Sequence, residues 1–519
     1  MIHLIQRQYL HVAVNGIESA GLALQRSLPD LCRNRLTPAI EQVLEQYAPT
    51  DGHLYIERLE IDAGTLRPER LEQNLADLVA QALEKSLREQ IPPSDAAPKI
   101  TAGNIQHKTT QQTVDEALLY FLTTGSLPWS FQLTEAGSFE RVILDSWQEA
   151  AESGVSPRFL KARLCPALAS TTVRQRLIRQ FTPVLLETLL SLLASEDKKV
   201  VDGILRVLRS SSVASVEAKY FEKQLWETVF AQIAADSILS ERSLVREAWY
   251  HPAASAVQST VLASVLERYW PGATRKAPPF LTAVRRLNNT EPIPLNNTEP
   301  ITPNTVEPMA PNSAEPTPPN SAEPVPSKNL ESIPPSLAIS QKTSIDINGY
   351  PEAGESVYIE NAGLVLLHPF LPQFFTTLDI AAEDRLLQPE RALCLLHFLT
   401  TGQTSPIPEY ELVLPKVLCN ILLATPVESK LEPSDLEKEE ATALLEAVIQ
   451  HWAVLRSTSP DGLRGTFLLR PGKVSLRDDG DWLLQVESSS FDILLDQLPW
   501  GISMIKLPWM KTMLWVEWR

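Results

Sequence analysis

Apolar residues recur at every second position in two short stretches near the N-terminus. Leu10, Val12 and Val14 alternate with other residues in the first stretch, and Leu59 and Ile61 share a face in the second. Because the side chains of a strand point alternately to its two faces, this period predicts two half-buried strands.

The segments that follow these two stretches have helical spacing instead. The segment RLTPAIEQVLEQYA carries Thr37 as the predicted N-cap and Pro38 at the first helical position. Residues 67–90 form a long amphipathic segment whose apolar residues are spaced by three and four. We predict a small strand-helix-strand-helix α/β domain over residues 1–92, followed by a polar, proline-bearing linker over residues 93–111.

The middle of the chain, residues 112–285, has helical spacing throughout. Leucines recur at intervals of three and four in QRLIRQFTPVLLETLLSLLA and in KKVVDGILRVLRSS, and no strong alternating run occurs. This pattern predicts a helical domain built from stacked helical hairpins.

An abrupt change of composition marks residues 286–349. Five eight-residue units rich in Asn, Glu and Pro follow one another over residues 287–326, from LNNTEPIP to PNSAEPVP. Proline removes backbone donors, and Asn, Ser and Thr favour turns, so these units offer nothing that could build a core. We predict a disordered or polyproline-like tether.

Residues 350–519 mix both periods. The stretch YIENAGLVLLHPFLPQFF predicts a short strand followed by an apolar helix. Ser434 and Glu437 have the spacing of a capping box, and Asp479-Gly480 separates two alternating runs, as the turn of a β-hairpin does. We predict an α+β domain that ends in a hairpin and a strand. The whole chain is thus expected to be α+β and mostly α.

The sequence FLTTG occurs twice, at residues 121–125 and 398–402. Apolar residues precede both copies at matching positions. Each copy predicts a helix that ends at a C-cap glycine, Gly125 or Gly402, because glycine readily adopts the left-handed conformation that closes a helix. The helical middle and the C-terminal domain are therefore expected to share a related helical unit.

Composition and charge remove several classes of function. The formal net charge is −17, and an acidic chain lacks the clustered Lys and Arg that nucleic-acid binding needs. The N-terminus has no basic start followed by an apolar block, as a signal peptide would have. The most apolar stretch, residues 363–375, is too short to span a bilayer. We expect a cytoplasmic protein without nucleic-acid binding or membrane insertion.

Candidate chemistry is sparse. No P-loop, dinucleotide-binding or nucleophile-elbow motif occurs, and the eight histidines lack metal-binding spacing. We therefore predict no catalytic, cofactor-binding or metal site, and no enzyme. The four cysteines lie among apolar neighbours and predict buried free thiols. The acidic run RDDGDW favours a solvated turn. Arg174, Arg176 and Arg179 favour a solvated helix face, with contact to an acidic partner as the alternative.

Tryptophan is concentrated at the end of the sequence, where four of the 11 tryptophans fall within the last 20 residues. The sequence leaves two interpretations open. These side chains complete a core, with Trp515 in a terminal strand, or they form a partner surface, because Trp is enriched at interaction hot spots. The candidate partner-contact residues are Trp500, Lys506, Pro508, Trp509, Trp515 and Trp518.

Four stretches carry a family resemblance: FDILLDQLPWGISMIKLPWM with the later LWVEW, YIENAGLVLLHPFLPQFF, ELVLPKVLCNILLATPVE, and the N-terminal LYIERLEIDAGTL. They are similar to the signatures of contractile injection system tape-measure proteins. The resemblance covers nearly all of residues 1–90 and 355–519. The helical middle is less distinctive, and the octapeptide tether has no counterpart in the family pattern.

This resemblance implies structural work in a phage-tail-like particle, whose sheath contracts around an inner tube. Such proteins are named for setting tube length, in contact with the inner tube, the baseplate or spike, or a terminal cap. An oligomer within the particle is compatible with this role, and no catalytic residues carry over. An assembly adaptor or chaperone that measures nothing is the alternative, because prolines exclude one continuous helix. An enzyme or toxin cargo would need a convergent polar pocket.

Overall fold

A computed structural model gives the arrangement of most of the chain. It describes residues 3–6, 8–13, 18–49, 52–66, 71–90, 105–133, 137–154, 158–211, 213, 215–251, 260–274 and 356–518. The predicted tether, residues 286–349, lies outside the described residues. The chain divides into two compact units, Met1–Ala273 with Thr343–Arg519, and Thr274–Lys342. All elements named below belong to the first unit.

One continuous helical stretch opens the N-terminal region. It consists of α1 (Glu18–Leu31), a π-helical turn (Cys32–Leu36) and α2 (Thr37–Tyr47). The prediction that Thr37 caps a helix is wrong, because Leu36 already has helical dihedral angles. The Thr37 hydroxyl instead donates to the Cys32 carbonyl oxygen at 3.1 Å.

The predicted amphipathic helix is present as α3 (Leu71–Gln90), which packs on α2. Its stripe buries apolar side chains at helical spacing, and these meet Ile40 and Val43 of α2 in a small core. The buried residues of the stripe are Leu75, Val79, Leu83 and Leu87.

The strands of this region differ from the prediction. The second predicted strand is present only at its start, as β1 (His53–Ile56), and Leu59 and Ile61 are not in a strand. β1 pairs antiparallel with β2 (Ile105–Lys108), which lies inside the predicted linker. The polar composition of residues 93–111 gave no sign of a strand, because β2 is short, is held by backbone pairing and buries few apolar side chains. Residues 10–13 are not in a strand, and Leu10 and Val12 are exposed. Val14, the third residue of that predicted strand, lies outside the described residues.

The predicted helical middle is confirmed. Its helices pack around leucine and aromatic side chains in one core. The helices are α4 (Thr110–Thr124), α5 (Phe139–Glu152), α6 (Arg158–Ala167), α7 (Thr171–Gln180), α8 (Pro183–Leu193), α9 (Lys198–Ser210), α10 (Ser215–Ala234), α11 (Glu241–Trp249) and α12 (Thr260–Tyr269).

The C-terminal region mixes short helices and strands, as predicted. Its α-helices are α13 (Leu371–Thr377), α14 (Pro389–Thr401), α15 (Val413–Leu418), α16 (Asp435–His451) and α17 (Pro460–Leu463). Tighter or wider turns lie at Ala362–Leu367, Glu409–Leu412, Ala453–Leu455 and Ser490–Gln497 (3-10 helices) and at Arg464–Leu468 (a π-helical turn). The capping box of Ser434 and Glu437 at the start of α16 is confirmed.

A five-stranded sheet forms one side of this region. Its strands are β3 (Ser356–Ile359), β6 (Gly472–Leu476), β7 (Trp482–Val486), β8 (Met504–Ile505) and β9 (Leu514–Trp518), in the order β3-β6-β7-β9-β8. β7 and β9 run parallel, and the other pairs are antiparallel. The predicted hairpin joins β6 to β7, with Gly480 at a φ of 85°. A separate two-stranded sheet pairs β4 (Ala381–Ala382) with β5 (Arg385–Leu386).

Both FLTTG copies end helices as predicted. Gly125 follows α4 with a φ of 83°, and Gly402 follows α14 with a φ of 72°. Each glycine N–H donates to the phenylalanine carbonyl oxygen four residues earlier, at 2.7 Å to Phe121 and 2.8 Å to Phe398. The α+β, mostly α fold class is thus confirmed. Among the helices of the described residues, none is both long and apolar enough to cross a bilayer.

Candidate partner-contact surface and charged junction

The tryptophans at the end of the chain differ in exposure. Trp509 and Trp518 are buried, at 7% and 8% exposed, and belong to the C-terminal core. Trp509 Nε1 donates to the Leu418 carbonyl oxygen at 2.8 Å. Trp500 is half-buried and donates to the Leu366 carbonyl oxygen at 3.1 Å. These contacts anchor the last segments of the chain to the apolar helices of the region.

The segment between β8 and Trp509 is where the candidate residues reach the surface. Lys506 and Pro508 are exposed, while Ile505 and Leu507 between them are buried. Met504, on β8, is also exposed. Because β8 pairs only with β9 among the described strands, these residues follow an edge of the sheet.

Trp515 lies over the hairpin turn that the run RDDGDW forms. Its Nε1 donates to Asp481 Oδ2 at 3.1 Å, and the Met513 N–H donates to Asp481 Oδ1 at 2.9 Å. The hydrogen bond from the Met513 N–H lowers the pKa of the Asp481 carboxyl most, and the bond from Trp515 lowers it further. The turn is exposed, as predicted, but Asp481 also holds the start of β9 beside β7.

A buried charged junction joins the helical middle to the C-terminal region. Arg176 of α7 and Glu409 are both fully buried, with 3.1 Å between Arg176 Nε and Glu409 Oε2. The Lys416 ammonium lies 2.6 Å from Glu409 Oε1 and is 2% exposed. One carboxylate thus bridges two cations that would otherwise be uncompensated inside the protein.

Backbone carbonyls complete the junction. Arg176 donates to the carbonyl oxygens of Leu122 and Ala424, each at 2.5 Å. Lys416 donates to the carbonyl oxygens of Leu423 and Thr425, each at 2.8 Å. Burial lowers the pKa of Lys416, and the neighbouring Glu409 carboxylate opposes that effect.

Aromatic side chains seal the junction on one side. Tyr410, next to Glu409, packs edge-on against Phe121 at 6.0 Å and against Phe139 at 6.2 Å between ring centroids. Burial raises the pKa of the Tyr410 hydroxyl. The 3-10 turn Glu409–Leu412 of the C-terminal region therefore contributes both a charge and an aromatic ring to the core of the helical middle.

The prediction of a solvated arginine face on α7 is wrong. Arg174 pairs with Glu227 at 2.9 Å, Arg176 is buried, and Arg179 donates to the Pro426 carbonyl oxygen at 3.2 Å. The spacing of the three arginines gave no sign of a partner so distant in sequence. A usable signal was Lys416, the one charge inside the apolar run LVLPKVLCN, because a charge in such a run needs a buried counter-ion.

The cysteines fit the predicted free thiols. Cys394 and Cys419 are buried, Cys32 and Cys165 are half-buried, and all four are free. Burial raises the pKa of Cys394 to about 11. Within the ranges that the structure describes, no group of three or more His, Cys, Asp or Glu side chains could hold a metal ion.

Comparison with protein families decides which family this is. The sequence model of one family, described as contractile injection system tape measure protein, matches residues 2–518, nearly the whole chain. The chain belongs to this family. As a tape measure family member it has a structural role in the assembly of a contractile injection particle, as the sequence motifs indicated. Comparisons with curated proteins and with solved structures gave no match.

Proposed function

We propose that this tape measure protein acts in particle assembly, without catalysis, as a folded body rather than as an extended thread. The charged junction carries this proposal. Separating the helical middle from the C-terminal region would expose an aromatic core and break the buried pair of Arg176 and Glu409. Glu409 would keep Lys416, but Arg176 would lose its carboxylate partner.

Helix lengths support the same view. The longest described helices, α3 and α10, each have 20 residues. A helix of that length spans about 30 Å, so we assign no measuring role to any single helix of the described residues. We therefore assign any measure of tube length to the first compact unit, Met1–Ala273 with Thr343–Arg519.

The experiment that tests this proposal removes the octapeptide units, residues 287–326, in the producing cell. We expect particles of normal length and normal yield, because the deletion leaves the folded unit intact. Deleting the whole protein is the control, and it should abolish particles or make their length irregular. Electron microscopy of purified particles measures both outcomes. A uniformly shorter particle after the small deletion would show that the octapeptide segment is part of the measure.

We infer that the exposed edge around β8 contacts a component of the particle, such as the inner tube, baseplate, spike or cap. Lys506 and Pro508 are the candidates that reach the surface, whereas Trp509 and Trp518 support them from the core. The change Lys506→Glu should reduce particle yield while thermal stability stays unchanged. Lys511→Glu, at an exposed lysine two residues beyond Trp509, is the matched control. Equal yield from both variants would remove this edge as a contact.

A further inference from the structure

The two FLTTG helix ends have the same internal hydrogen bonds. Thr123 donates to the Leu119 carbonyl oxygen at 3.0 Å, and Thr400 donates to the Leu396 carbonyl oxygen at 3.1 Å. Thr124 and Thr401 repeat the equivalence, each donating at 2.8 Å to the carbonyl oxygen four residues earlier. The local structure of the two copies is therefore the same.

An arginine from a later helical segment approaches each end in the same place. Arg176 Nη1 donates to the Leu122 carbonyl oxygen, and Arg464 Nε donates to the Leu399 carbonyl oxygen at 3.1 Å. Leu122 and Leu399 occupy the same position of FLTTG. We call Leu122, Gly125 and Arg176 the first notch, and Leu399, Gly402 and Arg464 the second notch.

The first notch is filled by another part of the chain. Glu409 pairs with Arg176, and a Cβ placed on Gly125 would lie 2.6 Å from Glu409 Oε1 and 3.2 Å from the Leu423 carbonyl oxygen. Gly125 is buried as a result. The first notch thus holds the carboxylate of Glu409, with the Leu423 carbonyl oxygen beside it.

The second notch is exposed. Gly402 is exposed, and the atoms nearest to a Cβ placed on it belong to the Arg464 guanidinium, at 3.5 Å or more. The Arg464 side chain is 12% exposed, and Asp461, itself 90% exposed, pairs with Arg464 Nη1 at 2.7 Å. Among the residues that the structure describes, none accepts a hydrogen bond from Arg464 Nη2.

We propose that the second notch binds a carboxylate on a loop of a partner protein, as an exposed counterpart of the site that Glu409 fills in the first notch. The guanidinium of Arg464 is held by the Leu399 carbonyl and by the Phe398 ring, 5.6 Å from its central carbon. An arginine fixed in this way presents its free edge to a planar carboxylate without losing much side-chain entropy. This inference does not depend on how tube length is set.

The chemistry of the partner follows from the first notch. Its occupant is the segment SPIPEYEL, residues 405–412, in which Pro408 precedes Glu409 and Tyr410 follows it. The partner loop is expected to carry a glutamate between a proline and an aromatic residue. Asp461 competes with that glutamate for Arg464, so binding to the unchanged protein should be weak and should weaken further at high salt.

A peptide with the sequence of residues 405–412 tests the proposal, with fluorescence anisotropy on the full chain as the readout. Binding should be roughly threefold to tenfold tighter to Asp461→Asn than to the unchanged protein, because the competing carboxylate is gone. Binding to Arg464→Lys should be at least about fivefold weaker, because the forked donor is lost. The same peptide carrying Glu409→Gln is the matched control and should bind as weakly.

Three outcomes would overturn the proposal. One is equal affinity of the peptide for the unchanged protein, Asp461→Asn and Arg464→Lys, with thermal melts showing that all three are folded. Another is no binding to Asp461→Asn at roughly millimolar peptide. The third is binding that strengthens in a protein carrying Glu409→Gln and ignores Arg464→Lys, because the peptide would then be entering the first notch.

Discussion

The ends of α4 and α14 carry the same five residues and the same cap, yet one is buried and the other exposed. At α4 the 3-10 turn that begins at Glu409 covers Gly125, whereas at α14 Gly402 is exposed and the atoms nearest to a Cβ placed on it belong to Arg464. The cap is a local property, set by threonine hydroxyls and a glycine. The burial of Gly125 depends on a long-range contact, because Glu409 lies 233 residues from Arg176. Local sequence therefore specifies the helix end and leaves its use open.

The largest difference in stability is expected between substitutions of the two acidic residues, Glu409 and Asp461. Glu409→Gln leaves Arg176 and Lys416 buried without an anion, and we expect it to destabilise the protein by about 3–5 kcal/mol. Asp461→Asn removes the anion of Arg464 at the exposed end and should cost less than about 0.5 kcal/mol. Urea unfolding of both variants measures the difference. Similar losses would mean that the two ends are equally dependent on charge.

A smaller effect is expected at the two glycines. Gly125→Ala combines a positive φ with a contact of 2.6 Å to Glu409 Oε1, and we expect a loss of about 3 kcal/mol. Gly402→Ala has the positive φ alone and should cost about 1 kcal/mol. Thermal unfolding measures both. A Gly402→Ala loss as large as that of Gly125→Ala would contradict the view that the second notch is open.

The smallest effect is expected at a position inside the two helices, where α4 carries an acidic residue and α14 does not. Asp115 of α4 is buried at the position that Ala392 holds in α14, and Trp147 Nε1 donates to Asp115 Oδ1 at 2.9 Å. Burial raises the pKa of Asp115 from 3.8 to about 6. The pKa of Asp115 is higher in the folded state than in the unfolded state. Its contribution to the free energy of unfolding is therefore fully present below pH 3.8 and is lost as the pH rises through 6.

Asp115→Asn should therefore stabilise the protein by about 1–2 kcal/mol at pH 8. At pH 4 it should change stability little, because the aspartate is then mostly protonated. Asp145→Asn makes the same change at an exposed aspartate of α5 and is the matched control. Unfolding free energies at the two pH values measure the effect. A gain that is equal at both would rule out ionisation of Asp115 as its cause.

Much of the fold could be predicted because it depends on neighbours in sequence. The glycine caps, the capping box of Ser434 and the turn at Asp479-Gly480 are each set within five residues. Alternation was a weaker guide, since it predicted a strand at Leu10 and Val12 where residues 10–13 are not in one. A strand needs a partner, and the period of a single segment does not supply it.

The site was predicted less well than the fold. The arginines of α7 have a spacing that fits a solvated face, and the burial of Arg176 depends on Glu409, which lies 233 residues further along the chain. The terminal tryptophans were assigned two alternative roles, and the structure places Trp509 and Trp518 in the core. Whether Trp500, Trp515, Lys506 and Pro508 contact a partner stays a prediction. Sequence gives the residue types of a surface, but only the packing shows which of them face outwards.

The junction of Arg176 and Glu409 also bears on how this gene can vary. In the unfolded chain, the free energy of bringing two residues together rises only with the logarithm of their separation. At a separation of 233 residues, gaining or losing one octapeptide unit changes that free energy by roughly 0.03 kcal/mol. Duplication or loss of units within the coding sequence is therefore nearly neutral for folding. The number of units can drift between lineages, and selection on it would act on a property other than stability.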